Sequence, residues 1–329
     1  LDERVEFLDV DFYKNNYTIF EENFYGDNVI DDYFTQTVLD DSSLPVPANP
    51  TQSGVHIPDS GVLYMGSTSD LRPVENSVAA WTYGELNENF IAERDIVITF
   101  EFAMFTNTDQ ESYQQGTGVN ESPDVGGEGI SIIFFAGLKN DNLKLYSGSS
   151  STGDRITGNN NIYENGGVGT AFGYLSSSPE LSGLDTGHAC IALDIRGQFA
   201  DTPVANSITV RGPVTAGNAT QVATTLATDS LYQEVVDDMD DLQFTKCRVT
   251  LTDLGRRIIV ETAPSGTTTF TEHINVRMED AWPDGYDLPS RLKTAVSFCT
   301  SNYITNCVFR SVEITGEGNV RLDALPQYV

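Results

Sequence analysis

Gly-Gly-Glu-Gly-Ile-Ser-Ile-Ile-Phe-Phe (126–135), Gly-Gly-Val-Gly-Thr-Ala-Phe-Gly-Tyr-Leu (166–175) and Cys-Ile-Ala-Leu-Asp (190–194) are the stretches whose reading decides the fold. Each is a short apolar run that begins or ends at glycines or at an acidic residue. Apolar runs of this length, rich in β-branched and aromatic residues and bounded by glycine, read as strands. Their order predicts that Glu128, a glycine-lined turn at Gly166 and Gly167, and Asp194 meet at one rim of a sheet. Carboxylates and exposed backbone amides at such a rim suit a sugar or a metal ion.

Strand signals continue outward in both directions. Ile96 to Phe105 alternates around Thr99 and Glu101, the pattern of a half-buried strand. Gly129 to Phe135 and Cys190 to Ile195 are more continuously apolar, as central strands covered on both faces should be. Further runs span Ser207 to Arg211, Cys247 to Thr252, Arg257 to Thr262, Thr268 to Ile274, Leu292 to Phe298 and Cys307 to Thr315. Thr252 to Arg256 reads as a tight hairpin, because Asp and Gly tolerate its backbone angles. Ser230 to Leu242 is the one candidate for a short helix, or else a loop. The longest connection, 139–165, has the length of a functional or mobile loop. About a dozen short strands separated by turns predict an all-β, two-sheet antiparallel sandwich. No composition break calls for a second domain. The expected division is a sandwich over 19–316 with extensions at 1–18 and 317–329. Both extensions carry apolar residues (Val5, Phe7, Leu8 and Phe12; Leu322, Leu325 and Tyr328), suited to edge packing on the same domain or to self-association with an assembly partner.

A hydrophobic content of 39% over 329 residues is enough for a sizeable core. Eighteen Lys and Arg against 48 Asp and Glu leave a net charge of −30. That field repels phosphates and anionic lipid, which argues against nucleic acid or membrane partners and favours cations. No apolar run reaches the roughly 18 residues of a membrane span. The chain opens at Leu1 rather than Met, as a processed product would. Three histidines and no Cys-x-x-Cys pair argue against zinc. Two disulfides are expected: Cys299 with Cys307 around a polar loop, and Cys190 with Cys247 across neighbouring strands. The alternative is four buried thiols in a reducing compartment. Acceptor triplets at Asn16, Asn120 and Asn218 fit an extracellular or surface-exposed protein.

Taken in order, these segments resemble the L-type lectin family, the legume lectins and their animal and bacterial relatives. Phe20 to Phe24 looks like that family's opening strand, and Ala80-Trp81 with Ile96 to Phe105 its early strand pair. Glu128-Gly129-Ile130 resembles its Asp-Gly-Ile segment, and Gly166 to Gly169 its glycine turn. Ile191 to Asp194 resembles its Glu-x-Asp strand. Leu292 to Ser301 resembles the strand entering its specificity loop, and Ser311 to Thr315 the closing strand. The likeness spans about Phe20 to Gly316 and implies a concanavalin A-like jelly roll that recognises glycans or glycoproteins. By resemblance Glu128, Gly129, Gly166, Gly167, Ser301, Asn302 and Tyr303 would line the sugar site. The carboxylate and amides would hydrogen-bond hydroxyls, and Tyr303 would stack on a ring.

Two departures stand out. Glu128 is one methylene longer than the family's Asp. The calcium strand's first acid is Ala192 here, so a Ca2+ site would rest on Asp194, Gln198 and Asp201, with Asn206 nearby. Structural roles are open to the same residues: Asp194 could cap a strand end or pair with Arg196 or Arg211. The jelly roll also hosts glycoside hydrolases, but their Glu-x-Asp-x-x-Glu strand is missing, so no enzyme is expected. Two readings follow: a non-catalytic glycan-binding protein, or a structural component of a virion surface, fibre or extracellular assembly built on the same sandwich.

Overall fold

The computed structural model describes residues 17–23, 34–40, 53–57, 62–67, 77–87, 95–105, 129–136, 145–146, 155–156, 172, 174–175, 187–195, 197, 199, 204, 206–214, 225–230, 235–236, 242–289, 291–299 and 306–317. The early strands are β1 (Tyr17–Glu22), β2 (Phe34–Asp40), β3 (Ser53–Ile57), β4 (Val62–Ser67), β5 (Ser77–Asn87) and β6 (Asp95–Phe105). The middle of the chain supplies β7 (Gly129–Ala136), β8 (Leu145–Tyr146), β9 (Arg155–Ile156), β10 (Gly187–Asp194), β11 (Ser207–Arg211) and β12 (Thr225–Ser230). The last third adds β13 (Val235–Val236), β14 (Thr245–Thr252), β15 (Arg257–Pro264), β16 (Thr271–Arg277), β17 (Arg291–Cys299) and β18 (Asn306–Glu317).

Two sheets result. One runs β12-β11-β10-β7-β17-β5-β2; the other runs β16-β15-β14-β6-β18-β4-β3, with β1 added on β18 and β13 on β6. The pairings are antiparallel except for β13 with β6. β8 and β9 form a small separate hairpin inside the 139–165 connection. Between the sheets lies the main core, with Ile98, Phe100 and Phe102 of β6, Ile130, Ile132 and Phe134 of β7, and Ile191 and Leu193 of β10. Side chains alternate across a strand, so Ile133 and Phe135 of β7 and Cys190 and Ala192 of β10 turn to the opposite face of the seven-stranded sheet. There they meet Phe172, Tyr174, Phe199, Val214 and Ala295 in a second apolar cluster. β10 is therefore buried along its whole length, as its near-continuous apolar sequence requires.

The nine-stranded sheet presents a charged outer face. Arg310 donates from Nε (2.9 Å) and from Nη2 to Glu101, which Ser265 (3.2 Å) and Lys246 (3.4 Å) also contact. Burial alone would raise the Glu101 pKa, but these donors outweigh it and hold it below the usual carboxylate range. Arg248 forks onto Glu261 at 2.7 and 2.8 Å and stacks 3.8 Å over Phe270. Thr99 and Glu101 are half-buried under this network, so β6 is more deeply covered than simple alternation predicts.

Most of the expected strands match to within a few residues. The Thr252–Arg256 hairpin forms as read: Asp253, Leu254 and Gly255 all take positive φ (52°, 60° and 79°), and Thr252 O accepts from Gly255 N at 3.1 Å. Within 230–242 the described residues form no helix: Val235–Val236 pairs as a strand with Met104 and Phe105. Of the expected extensions 1–18 and 317–329, Tyr17 and Thr18 belong to β1 and Glu317 to β18, while 1–16 and 318–329 lie outside the described residues.

The disulfides expected from sequence are corrected. Cys190, Cys247 and Cys307 are buried thiols. Cys190 sits in the outer cluster of the seven-stranded sheet, whereas Cys247 packs in the main core from the other sheet. Cys299 and Cys307 likewise belong to strands of opposite sheets. Cys190 turns away from the sheet that carries Cys247, and Cys307 is a free thiol, so neither expected pair is bridged. Burial, with Glu261 adding to it, raises the Cys247 thiol, and burial raises Cys307 also, so both stay protonated and inert.

At the start of β10 the fully buried His188 joins the two sheets. Its Nε2 donates to Gly255 O of the β14–β15 turn (3.2 Å), which leaves Nδ1 to accept from the Tyr286 hydroxyl (2.8 Å). The rings of His188 and Tyr286 stack 5.9 Å apart. Burial lowers the His188 pKa to about 4. Above pH 6.5 the ring is neutral whether the chain is folded or not. As pH falls from 6.5 to about 4, the unfolded chain takes up the proton first, so stability drops by about 3 kcal/mol. Urea unfolding of His188→Gln across this range should show that slope largely removed; identical slopes in both proteins would refute the assignment.

Candidate functional site

Strand register builds the rim. Asp194, the last residue of β10, pairs with Gly129, the first of β7, and on its other side with Ser207, the first of β11. Gly129 pairs in turn with Cys299, the last residue of β17. Three connections therefore leave one edge of the seven-stranded sheet: the one ending at Gly129, the one after Asp194 and the one after Cys299. Glu128 precedes the first in sequence, and Ser301, Asn302 and Tyr303 follow the last. Those residues, with Gly166, Gly167, Gln198 and Asp201, lie outside the described residues. Of the residues expected at this rim, Gly129 and Asp194 are described, as is Asn206 near the expected calcium set.

Gly129 is required by that geometry. Its φ is +134°, a region that side-chain-bearing residues avoid. A Cβ there would stand 2.1 Å from the Leu193 carbonyl oxygen. Glycine thus lets β7 and β10 approach at the point where the rim begins.

Asp194 is a backbone clamp. Its side chain is 1% exposed, Oδ1 accepts from Gly197 N and Oδ2 from Phe199 N, both at 2.7 Å. The loop is closed further by Asn206 N donating to Ile195 O (2.7 Å) and Val204 N to Gly197 O (3.2 Å). Positive φ at Gly197 (72°) and Asn206 (52°) allows the reversal. Arg211, 7% exposed, donates from Nε to Phe199 O at 2.6 Å and lies 5.0 Å over the Phe199 ring. The same ring also meets Phe172, centroid to centroid 5.0 Å. Phe172 O accepts from Ser131 Oγ (2.9 Å), and the Tyr174 hydroxyl donates to Gly212 O (2.7 Å). These bonds tie Phe172 and Tyr174 onto the outer face of the sheet.

Of the expected calcium set, Gln198 and Asp201 lie outside the described residues, so Asp194 alone can be placed. Calcium takes six to eight oxygens, yet both Asp194 oxygens already serve backbone N–H groups. Ser207 Oγ, across from Asp194, adds one neutral oxygen that is buried and makes no hydrogen bond. Among the described residues no three His, Cys, Asp or Glu side chains converge to hold a metal ion. The reading of Asp194 as a strand-end cap is the one its geometry matches. Sequence reasoning missed Phe199 and the bond from Arg211 to its carbonyl. The signal was faint: a lone aromatic in a polar loop and an arginine ending an apolar strand.

No protein-family model matches this sequence, and no curated protein matches it. Solved structures do. Winged bean acidic lectin, complexed with methyl-α-D-galactose, aligns at a TM-score of 0.55 and 11% identity, over 92% of this chain and 99% of that one. Lectin I from Ulex europaeus, complexed with the methyl glycoside of α-L-fucose, gives 0.53 at 9% identity, over 92% and 98%. Lectin I-B4 from Griffonia simplicifolia, in a metal-free form, gives 0.51 at 11% identity, over 87% and 94%. Likeness at these identities speaks for the fold. The chain has the concanavalin A-like jelly roll of the L-type lectins.

Replacing Gly129 by Ala should cost at least about 2 kcal/mol, from strain at positive φ and from the clash with Leu193. An unchanged urea midpoint would show that the approach of β7 to β10 is looser than described.

Proposed function

We propose that this chain is a non-catalytic, lectin-like protein that recognises glycans at the rim where β7, β10, β11 and β17 meet. The observation carrying this reading is the register of Gly129 with Asp194 and Cys299, which brings three connections to one edge of a lectin-type sandwich. In the proposal Glu128 accepts hydrogen bonds from sugar hydroxyls, amides near Gly129, Gly166 and Gly167 donate, Ser301 and Asn302 add polar contacts, and Tyr303 stacks on a sugar face. The related folds support the reading through their ligands, a galactoside for the winged bean protein and a fucoside for that of Ulex. Glycans displayed outside cells are the natural partners, which would place the chain in an extracellular or surface-exposed setting. No helix among the described residues is long and apolar enough to cross a membrane.

A second reading is favoured by the committed state of Asp194 and by the net charge of −30. In it the sandwich is a structural or assembly component, with 1–18 and 317–329 as contact segments and no sugar bound.

A glycan-array screen of the full chain separates the two. Retention of a defined glycan class is expected, with binding weakened about tenfold or more in Glu128→Gln, the loss expected when a charged acceptor of hydroxyl hydrogen bonds becomes neutral. Glu279→Gln, a surface change at the Arg256 ion pair, should bind as the unaltered chain does. Failure to retain any glycan would overturn the first reading. Self-association abolished by deleting either end segment would then support the second.

A further inference from the structure

We propose that residues 282–289 form a strap that closes over the imidazole of His188 at neutral pH and lifts in mildly acidic solution, while both sheets stay paired. The strap lies where β10 begins, at the other end of that strand from the rim, and its movement depends on neither reading of the rim.

The strap is held less firmly than the elements on either side of it. Before it, Met278 is fully buried and its N–H donates to Arg256 O at 2.7 Å. Ala281 sits so close to Gly212 that a Cβ on the glycine would stand 2.5 Å from the Ala281 Cβ. After it, β17 is paired on both sides, with β5 and with β7. Between these anchors no residue of 282–289 is fully buried. Among the described residues its backbone bonds are local, Trp282 N to Glu279 O (3.2 Å) and Tyr286 N to Pro283 O (2.9 Å). An aromatic group closes it. The Trp282 and Tyr286 rings lie 5.4 Å apart and stand 6.4 and 5.9 Å from the His188 ring, whose Nδ1 accepts from the Tyr286 hydroxyl. Trp282 Nε1 is buried there without an acceptor, a cost that water removes once the strap lifts. Segments with few buried contacts and local bonds are the ones that open first.

Beneath this cover lies a group whose closed state excludes a proton. Neutral His188 donates from Nε2 to Gly255 O, so its bare Nδ1 is the site for a second proton, and the Tyr286 hydroxyl already points its hydrogen there. The charged ring would also be buried without water. Among the described residues no carboxylate offsets that charge. Asp253 and Arg256 of the β14–β15 turn, Glu279 and Asp280 of the turn after β16, and Asp284 and Asp287 of the strap are all exposed, and none bonds the ring. On the neighbouring strand, Arg211 is directed to Phe199 O. Burial thus lowers the His188 pKa from 6.5 to about 4. Lifting the strap hydrates the ring and lets it take the proton, so the open form gains about twentyfold on the closed one between pH 7 and pH 5.

Hydrogen exchange of the full chain, followed by mass spectrometry and corrected for the pH dependence of the intrinsic rate, tests this. Peptides covering 282–289 should lose protection by about twentyfold from pH 7 to pH 5, while peptides from β14, β15 and β17 keep theirs. His188→Gln can still donate to Gly255 O and accept from Tyr286 but does not titrate, so its protection over 282–289 should stay level across that range. Tyr286→Phe removes the closing hydroxyl and should expose 282–289 already at pH 7. The proposal is overturned if 282–289 in the unaltered chain is equally protected at both pH values, or if β14, β15 and β17 lose protection together with it. It is also overturned if His188→Gln keeps the acid-dependent loss. Should His188→Gln fail to fold, the unaltered chain and Tyr286→Phe decide. Glycan binding, or its absence, leaves each of these readouts unmoved.

Discussion

A carboxylate buried at the end of a strand has to be satisfied, and at Asp194 the solution shapes everything around it. Desolvating an ionised group costs several kcal/mol unless hydrogen bonds replace its water. Here the replacements are backbone N–H groups of the residues that follow, so satisfying the charge folds the chain back on itself. The reversal carries Phe199 over the sheet, and Phe199 brings Arg211 and Phe172 together. One local electrostatic requirement thus becomes a tertiary contact between a loop and the layer above β7 and β10.

That layer explains why two strands of this sandwich are buried on both faces. A sheet packed against one partner leaves its other face to water and alternates accordingly. β7 and β10 do not alternate, because Phe172, Tyr174 and Phe199 cover the outer face with apolar surface of their own. The cover is fastened by buried side-chain-to-backbone bonds, Ser131 to Phe172 and Tyr174 to Gly212. Apolar burial supplies the driving force and those bonds set the position, since a misplaced layer would strand buried polar groups.

The sandwich was largely legible in the sequence because period-two patterning and glycine punctuation are local signals. Ile96 to Phe105, Ser207 to Arg211 and the Thr252 turn could be read from neighbours alone. Pairings between distant strands could not. Cys190 and Cys247 both sit in strand-like runs, yet nothing local says that one faces the outer cluster and the other the core of the opposite sheet. The same blindness affected Asp194. The likeness of its strand to a Glu-x-Asp calcium strand suggested a metal, while the N–H groups that it accepts from belong to a turn whose shape depends on Gly197 and Asn206 adopting positive φ. Glu128, Gly166, Gly167 and Tyr303 were chosen by motif order, and of that group only the register next to Glu128 has a structural counterpart.

β10 shows how far this logic reaches. The strand is buried throughout, and near each end it carries an ionisable side chain that the core could not otherwise tolerate. His188 is kept neutral, because burial without an anionic partner disfavours its charged form, and its two nitrogens are spent joining the opposite sheet and Tyr286. Asp194 is matched by local backbone and sits in a chain of contacts that ends at a guanidinium. One end of the strand therefore binds the sheets together, while the other organises a loop at the open edge. A binding function, if glycans are its target, would belong at the second end, where the chain leaves the sheet and where altering a connection does not disturb the joint between the sheets.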